Sequence, residues 1–179
     1  PDVEEVVLAD LDEERVKTSM EKHNIKRGFS SFEEMLEKAS ELDSVAIFTQ
    51  RHLHGPMIIE ALKRGKHVYS AVPIGCTIEE IKEIVELVTK TRLTYMMGET
   101  CYYYPCAIYC REKYKSGEFG EFVYGESQYY HDICEMYDDF SRSGGANWQR
   151  VARIPPMFYP THSISMVFSA IDQYATKVS

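Results

Sequence analysis

The stretch Tyr159–His162 reads Tyr-Pro-Thr-His and places a phenol and an imidazole three residues apart. On a turn or a first helical turn, that spacing puts both side chains on the same side. A phenol with a pKa near ~10 acts as a base only where neighbouring cations lower that pKa. Arg150 and Arg153 lie close in sequence and are candidates for those cations. The stretch predicts a proton-transfer site; the structural alternatives are packing of Tyr159 in a Pro-rich turn and an N-cap role for Thr161.

Other polar residues follow strand-like runs, where α/β proteins collect the side chains of a site. Glu99 and His131 are such residues. The alternative for His131 is a structural role, as a strand histidine whose ring nitrogens are hydrogen-bonded within the fold. Asp10 ends the run "EVVLAD", where a dinucleotide-binding sheet carries the acid that binds the adenosine ribose; a solvated turn residue is the alternative. Trp148 is a candidate to pack against a sugar. The run Tyr102–Tyr104 favours core and interface packing.

The elements that must position these residues alternate between strand and helix through the first hundred residues. Apolar strand-like runs occur at residues 5–10, 44–49, 67–70 and 93–97, and amphipathic or capped helical runs at 12–23, 30–38, 55–65 and 77–91. Thr77 and Glu80 form a capping-box pattern at the start of the last of these helices. Short connections between alternating elements predict a doubly wound parallel sheet. We therefore assign residues 1–104 to a partial Rossmann-type domain.

A dinucleotide-binding sheet normally begins with a strand and a Gly-rich turn that receives the pyrophosphate. The sequence contains no GxGxxG, and residue 1 comes shortly before what reads as the second strand. The first strand is central in such a sheet, so we expect a gap in the sheet and a chain that is a segment of a longer protein.

The pattern changes near Tyr102 to Pro105. A helix of about twelve residues follows Pro105. The run at residues 120–132 is rich in aromatic and β-branched residues and is long enough for an antiparallel strand. Residues 161–171 read as a helix and 174–179 as the beginning of a strand. We assign residues 105–179 to the start of a second α/β domain.

Bulk composition excludes several function classes. The formal net charge is −8 and basic runs are short, so nucleic acid is not an expected partner. No apolar run approaches the ~20 residues of a membrane span. The 5 cysteines form no CxxC pair, which indicates reduced thiols and a cytoplasmic location. For Cys101, Cys106 and Cys110 we favour buried structural thiols over metal ligands, and we predict no metal.

Four motifs in order carry a family resemblance: "FTQRHLH" (48–54), "GKHVYSAVP" (65–73), "YMMGETCYYYP" (95–105) and "SGEFGEFVYGESQYYHD" (116–132). Together they resemble the glucose–fructose oxidoreductase/inositol 2-dehydrogenase/MocA family over essentially the whole chain. The resemblance implies an NAD(P)-binding Rossmann domain followed by an α/β domain with an open, mainly antiparallel sheet. It also implies a homo-oligomer.

Departures from the common family pattern point to one branch. The usual Thr-Pro-Asn is Thr49-Gln50-Arg51, the usual Glu-Lys-Pro is Ala71-Val72-Pro73, and Phe158 stands where an Asp should precede His162. NAD-dependent glycosidases of the α-N-acetylgalactosaminidase type resemble this chain in Val-Pro, Met-Met-Glu, Tyr-x-His-Asp and Tyr-Pro-Thr-His motifs. The chain departs from that branch at Gly98, Thr100 and Ser163.

In the glycosidase scheme that the resemblance implies, a hydride leaves sugar C3, a base removes the C2 proton, the glycosidic oxygen is eliminated, water adds and the hydride returns. The implied cofactor is NAD, because the Asp10 carboxylate would repel the 2′-phosphate of NADP. The expected cofactor-binding residues are Asp10, Thr49, His52, Val72, Pro73 and Glu99. The expected substrate-binding residues are Glu99, Tyr129, His131, Trp148 and Arg150, and the catalytic residues are Tyr159 and His162.

Three functions stay open from the sequence. The first is an NAD-dependent enzyme acting on a small-molecule carbohydrate, with possible glycoside cleavage through Tyr159 and His162. The second is an ordinary sugar or inositol dehydrogenase with a rearranged proton relay. The third is a non-catalytic sugar or nucleotide sensor of the same fold. Solvated loop positions are the alternative for His52 and for His54.

Overall fold

The structure, a computed structural model, describes residues 3–130, 132, 134, 138, 141 and 160–178. Its first strand, β1 (Leu8–Ala9), pairs in parallel with β2 (Gly28–Phe29). Helix α1 (Glu13–His23) connects them and begins at Asp12, whose carboxylate accepts two first-turn N–H groups. Helix α2 (Phe32–Lys38) follows. The strand predicted at residues 5–10 is present but shorter, and β2 is a strand that the sequence patterns did not indicate.

A second sheet contains three parallel strands in chain order. They are β3 (Ser44–Ile47), β4 (His67–Ser70) and β5 (Tyr95–Met97). Helix α3 (Arg51–Lys63) connects β3 with β4, and α4 (Ile78–Thr91) connects β4 with β5. Helical connections between parallel strands confirm the predicted α/β class.

Over the described part of the chain, no ladder joins β1 to β3, and the parallel strands form two separate sheets. Their orders, β2-β1 and β3-β4-β5, follow a 3-2-1-4-5-6 sheet from which the first strand is missing. The two sheets nevertheless share one hydrophobic core, whose buried members are Phe29, Phe32, Met35, Leu36, Ala39, Val45, Ile47, Ile58, Ala61, Leu62, Val68 and Ile84. The expected gap in the sheet is therefore seen, and side-chain packing spans it.

Strand β3 is buried on one face only. Val45 and Ile47 are buried in the core, whereas Ser44 and Ala46 are exposed. The run at 44–49 is nearly continuous in apolar residues and predicted burial on both faces. That prediction is wrong for the described residues, because the packed helices cover only the side that carries Val45 and Ile47.

The loop that leads from β4 into α4 is held by a capping box. The Thr77 side chain accepts the N–H of Glu80, and the Glu80 carboxylate accepts the N–H groups of Thr77 and Cys76 at 3.2 and 2.8 Å. The same carboxylate lies against Gly55 in α3, where an added Cβ would meet it at 2.6 Å. The predicted capping pair thus fixes the loop and also packs against the first turns of α3.

The later region includes a 3₁₀ helix (Thr100–Tyr103), α5 (Pro105–Lys115) and α6 (Pro160–Ile171). Helix α6 packs against both α5 and the 3₁₀ helix. The helices predicted from Pro105 and from residue 161 are confirmed. The domain division at residue 104 stays a prediction.

The two strands predicted in the later region are absent from the described residues. Residues 122–130 have no regular secondary structure and pair with no strand of the described chain, and residues 173–178 form no strand. A strand needs a neighbour whose N–H and C=O groups pair with its own, and the described chain offers none at either place. The open antiparallel sheet therefore stays a prediction.

Two packing predictions are wrong in part. The residues Tyr102, Tyr103 and Tyr104 are exposed rather than in the core, and their packing at an interface stays a prediction. Of the thiols expected to be structural and buried, Cys101 is buried, Cys110 is half-buried and Cys106 is exposed. All 5 cysteines are free, in line with the expected reduced thiols. None of the described helices has both the length and the apolar character to cross a membrane.

Candidate active site

The carboxyl ends of β3, β4 and β5 carry the residues predicted to form a site. Thr49 follows β3, Val72 and Pro73 follow β4, and Glu99 follows β5. Neighbouring parallel strands end at the same edge of a sheet, and ligands of open α/β sheets bind outside that edge. The structure therefore brings these predicted cofactor-binding positions to one edge.

Glu99 and His162 come from different regions and meet in a hydrogen bond. The His162 Nδ1 and the Glu99 Oε1 lie 2.8 Å apart. Both side chains are about nine-tenths buried, each with 10% of its area exposed. The same carboxylate oxygen accepts the backbone N–H of Cys101 at 2.9 Å. A buried carboxylate thus holds an imidazole at the junction of β5, the 3₁₀ helix and α6.

Charge and tautomer follow from this geometry. Burial raises the pKa of the Glu99 carboxyl, but the hydrogen bonds from His162 and the Cys101 N–H outweigh burial and lower the pKa below its usual value. Glu99 therefore carries a negative charge, and a carboxylate only accepts, so His162 donates from Nδ1. The buried carboxylate therefore fixes the orientation of the His162 ring.

Two further residues surround the imidazole. The Tyr129 ring packs on the His162 ring with centroids 4.6 Å apart, which places a predicted substrate-binding residue beside the pair. Thr161 lies inside α6, which begins at Pro160, so the N-cap alternative for Thr161 is wrong. Its buried Oγ1 lies beside Glu99, and a hydrogen bond from the Thr161 side chain helps to lower the pKa of that carboxyl.

His54 joins the two loops that follow β3 and β4. It is 1% exposed, and its Nδ1 lies 2.7 Å from the Pro73 carbonyl oxygen while its Nε2 lies 2.9 Å from that of Thr49. The two carbonyl oxygens belong to the two loops, so the buried ring contacts both loops at once. The solvated-loop alternative for His54 is therefore wrong, and the residue acts as a clamp between predicted cofactor loops.

The remaining predicted cofactor residues lie at positions compatible with a dinucleotide. Asp10 follows β1, and its Oδ1 accepts the N–H of Asp12 at 2.9 Å. Thr49 is exposed at the sheet edge. His52 is half-buried in the first turn of α3, not in a loop, and burial lowers its pKa, with the nearby His54 and Arg51 adding to that effect. Val72 is buried beside the clamp. This donor and acceptor set fits a nicotinamide dinucleotide along the edge.

Gly98 is a site residue that sequence reasoning noticed only as a departure. Its N–H donates to the Ser70 carbonyl oxygen at 2.8 Å. A Cβ there would overlap the Tyr69 hydroxyl and lie 2.7 Å from the ring carbon Cζ. Gly98 therefore lets the Tyr69 ring lie across the end of β5, directly before Glu99. In the sequence, the only indication of this role was that Gly98 interrupts the Met-Met-Glu motif between Met97 and Glu99.

Cys101 adds a thiol to the pair, and the ligand atoms of Glu99, Cys101 and His162 all lie within 4.8 Å of one another. Burial is the main cause that raises the pKa of the Cys101 thiol. These are ligand types that zinc accepts, and two ligands of one tetrahedral zinc lie about 3.3 Å apart. The Glu99–His162 separation of 2.8 Å is shorter and is that of a hydrogen bond. The predicted absence of a metal stays a prediction.

Four predicted site residues lie outside the described part of the chain. They are Tyr159, His131, Trp148 and Arg150, and the neighbouring Arg153 lies there too. Their roles stay predictions. The structure thus brings together Glu99, His162 and Tyr129, and separately places Asp10 and the loop residues along the sheet edge.

Comparison with known proteins identifies a family that the chain matches. Residues 1–99 match the model of an oxidoreductase family with an NAD-binding Rossmann fold. An α-N-acetylgalactosaminidase of Bacteroides fragilis is 36% identical over 131 residues, which cover 71% of this chain and 31% of that protein. A glycosyl hydrolase family 109 protein of Saccharopolyspora erythraea is 30% identical over 148 residues, 81% of this chain and 32% of that protein. The chain spans about a third of the length of these curated relatives.

Solved structures share the fold. Myo-inositol 2-dehydrogenase of Lactobacillus plantarum superposes with a TM-score of 0.76 at 17% identity, covering 94% of this chain and 48% of that one. Scyllo-inositol dehydrogenase of Lactobacillus casei, with NAD(H) and scyllo-inositol bound, gives 0.60 at 23% identity, covering 64% and 34%. At these identities the likeness supports the fold alone.

Proposed function

The chain belongs to the oxidoreductase family with an NAD-binding Rossmann fold, and from this premise we propose that it is part of an NAD-dependent enzyme acting on a carbohydrate. The observation that carries the proposal is the buried Glu99–His162 hydrogen bond of 2.8 Å at the carboxyl end of β5. Oxidation of a sugar hydroxyl releases a proton as well as a hydride. A base oriented by a carboxylate is the group that such chemistry needs beside the reacting carbon.

Residues of this chain would hold the cofactor along the sheet edge. The Asp10 carboxylate would accept ribose hydroxyls, and the loops carrying Thr49 and Val72–Pro73 would line the nicotinamide, held together by His54. A bound nicotinamide would supply hydride exchange with the sugar carbon. NAD is favoured over NADP because Asp10 would repel a 2′-phosphate. Calorimetry should therefore show tighter NAD than NADP binding, and Asp10→Ala should reduce the difference.

We propose the following roles for the chain's own side chains. His162 takes the proton from the oxidised hydroxyl at Nε2, while Glu99 stabilises the imidazolium that results through the Nδ1–H bond. Tyr129 packs on the imidazole ring and fixes one wall of the sugar site. Tyr159 stays the proposed base for the C2 proton, with Trp148, Arg150 and His131 as proposed sugar contacts.

The finer proposal is a redox-cycling glycosidase. Val72 occupies the position where the family's dehydrogenases carry an acid/base lysine, and curated relatives at 36% and 30% identity carry glycosidase names. An ordinary sugar or inositol dehydrogenase is the second candidate, because the solved structures that share the fold carry inositol dehydrogenase names. A sensor of the same fold is the third.

The test uses the intact protein with NAD, glycosides and polyols, and the variant His162→Gln. We expect glycoside cleavage with no net NADH formation and with solvent deuterium entering sugar C2. His162→Gln should lower the rate by roughly 10²–10⁴-fold, the usual contribution of a general acid or base. The matched control is His23→Gln, at the exposed end of α1, which should leave the rate unchanged.

Other outcomes select the alternatives. Stoichiometric NADH from a polyol, with no deuterium at C2, would identify a dehydrogenase. Ligand binding without any turnover would identify a sensor. A His162→Gln rate equal to that of the control would contradict the role of the pair.

We also propose that the intact protein is a homo-oligomer. The run at residues 122–130 exposes large apolar side chains such as Val123, Tyr124 and Tyr130. Exposed aromatic residues that follow one another are typical of surfaces that meet a partner. Sedimentation that finds only monomer at micromolar concentration would contradict this proposal.

A further inference from the structure

A cavity of about 410 Å³ lies beside the Glu99–His162 pair. One wall comes from the end of β5 and the 3₁₀ helix, with Met97, Glu99 and Tyr102. The other wall is one side of α6 and the turn after it: Thr161, Ile164, Ser165, Phe168, Ser169, Asp172, Gln173 and Tyr174. The cavity therefore begins at Glu99, the hydrogen-bond partner of His162, and follows α6 along its length.

Four buried oxygen atoms border this cavity. The Oγ atoms of Ser165 and Ser169 have no hydrogen-bond partner among the described residues. The Thr161 hydroxyl lies beside the Glu99 carboxylate, and a hydrogen bond from it helps to lower the pKa of that carboxyl. Ser169 is 6% exposed and Glu99 is 9% exposed. Buried hydroxyl oxygens without a partner are costly and rare, so each needs an occupant of the cavity that can donate or accept hydrogen bonds.

The hydroxyl groups follow the helical repeat. Thr161, Ser165 and Ser169 are four residues apart, so neighbouring members lie about 5–6 Å apart along α6. That separation is too long for a direct hydrogen bond but matches two successive bonds of about 2.8 Å through one water. A cavity of this size has room for several waters, and on its otherwise mostly apolar wall the row of hydroxyls and Glu99 supply the polar partners that each water needs.

We propose that this cavity holds a chain of water molecules that connects Glu99 with solvent, and that Thr161, Ser165 and Ser169 are positioning residues for a proton path. The path runs about 16 Å along α6, from Thr161 to Asp172 at the exposed end of the cavity. The proposal rests on the proposed function for the origin of the proton.

The proton balance is simple. His162 takes one proton at Nε2 and becomes the imidazolium that Glu99 stabilises. The Nδ1 proton of that imidazolium then passes to Glu99 for only as long as the carboxyl needs to hand a proton on. Glu99 passes one proton to the water at the cavity wall, and one proton leaves to solvent at the Asp172 end. No electron is transferred, and the path returns a proton in the reverse direction when the sugar is reduced again. Without such a connection the buried pair would exchange protons with solvent only through its substrate side.

The main test measures the exchange of the His162 Nδ1–H with water by NMR, in the protein labelled with ¹⁵N-histidine. Ser165→Val replaces a hydroxyl in the middle of the row with an apolar group that fills the water position. We expect exchange about tenfold slower or more, since one break interrupts a single file. Ser163→Val is the matched control: Ser163 lies in the same helix, does not line the cavity, and its hydroxyl donates to the Pro160 carbonyl oxygen at 3.1 Å.

Activity supplies the second readout. Ser165→Val should lower turnover about tenfold to a hundredfold, less than loss of the base itself, and a small buffer such as imidazole should restore part of it. Where Val at position 165 prevents folding, Ser165→Ala and Ser169→Ala give the same two readouts.

The outcomes separate this proposal from the proposed function. Slower exchange without any turnover in the unsubstituted protein would retain the proton path and reject the enzyme. Normal turnover with exchange equal in Ser165→Val and Ser163→Val would reject the proton path alone. Titration with myo-inositol that shifts the Ser165 and Ser169 resonances would show a polyol in the cavity and would also reject the water chain.

Discussion

Residues 3–100 and residues 101–178 use their apolar side chains differently. Every member of the hydrophobic core cluster lies between Phe29 and Ile84. Beyond residue 100, the buried hydrophobic residues of the described chain are Cys101 and Ala107, while aromatic side chains such as Tyr124 and Tyr130 are exposed. The first region contains its own core, and the second presents surface that a partner or another segment would cover.

The predicted chemistry lies where the two regions meet. Glu99 comes from the last strand of the first region, and His162 comes from a helix of the second. The His162 ring packs on Tyr129, also from the second region. This difference teaches that stability and chemistry are carried by separate sets of residues, so a substitution can affect one while leaving the other intact.

The largest expected effect tests the claim that the core lies in the first region. Ile58 is 0% exposed in the core, and Tyr130 is 87% exposed in the second region. Ile58→Ala should lower the free energy of unfolding by about 2–5 kcal/mol, because it removes buried methyl groups and leaves a cavity. Tyr130→Ala should change it by about 0.5 kcal/mol or less. Denaturant unfolding of both variants measures the difference, and equal losses would contradict the comparison.

An intermediate effect is expected at the boundary between the regions. Gly98→Ala places a methyl group against the Tyr69 ring and should cost about 1–3 kcal/mol of stability, because a packed side chain must move. The double variant Gly98→Ala with Tyr69→Leu should cost less than the sum of the two single changes. Additive losses in thermal unfolding would mean that the ring and the added methyl group do not interact. Because Glu99 is the next residue, catalytic rate should fall as well.

The smallest expected effect concerns acid stability. Hydrogen bonds from Lys38 and Ser30 lower the pKa of Glu34 to about 2, and the pKa of the buried Glu99 is also lowered. A lowered folded-state pKa gives stability that is complete above the unfolded pKa, near 4.5 for Glu34, and is lost as pH falls toward the folded pKa. Both Glu34→Gln and Glu99→Gln should therefore flatten the loss of stability on acidification.

The two substitutions should change the pH dependence of stability by different amounts. Glu34 is paired on the surface, where solvent screens the interaction, so its variant should change the slope only slightly. Glu99 is buried against His162, so its variant should change the slope more. Unfolding measured from neutral pH down to about pH 2, near the pKa of Glu34, gives both slopes. A larger change for Glu34→Gln would contradict the expected ranking.

Local sequence signals were enough for the elements of the first region. Helix α4 was predicted from Thr77 and Glu80, because a capping box is formed by residues three apart. Strand β4 was predicted with the bounds that the structure shows. The meeting of Glu99 with His162 could be suspected only through a family resemblance, since 63 residues separate them.

Other features depend on contacts that no local pattern contains. His54 reads as a loop histidine until the Pro73 and Thr49 carbonyl oxygens are seen on either side of its ring. The residues at 122–130 have the composition of a strand, yet strand pairing depends on a partner rather than on composition. The row of Thr161, Ser165 and Ser169 reads as ordinary helix, and its significance comes only from the cavity it faces.

The division of the parallel strands into two sheets has a practical consequence for handling this chain. Strands β1 and β3 each have a ladder partner on one side only in the part of the chain that is described. Open backbone edges are templates for any extended peptide, including a second copy of the same chain. Preparations of this polypeptide should therefore tend toward intermolecular strand exchange and aggregation at high concentration, and a peptide that caps those edges should keep it dispersed.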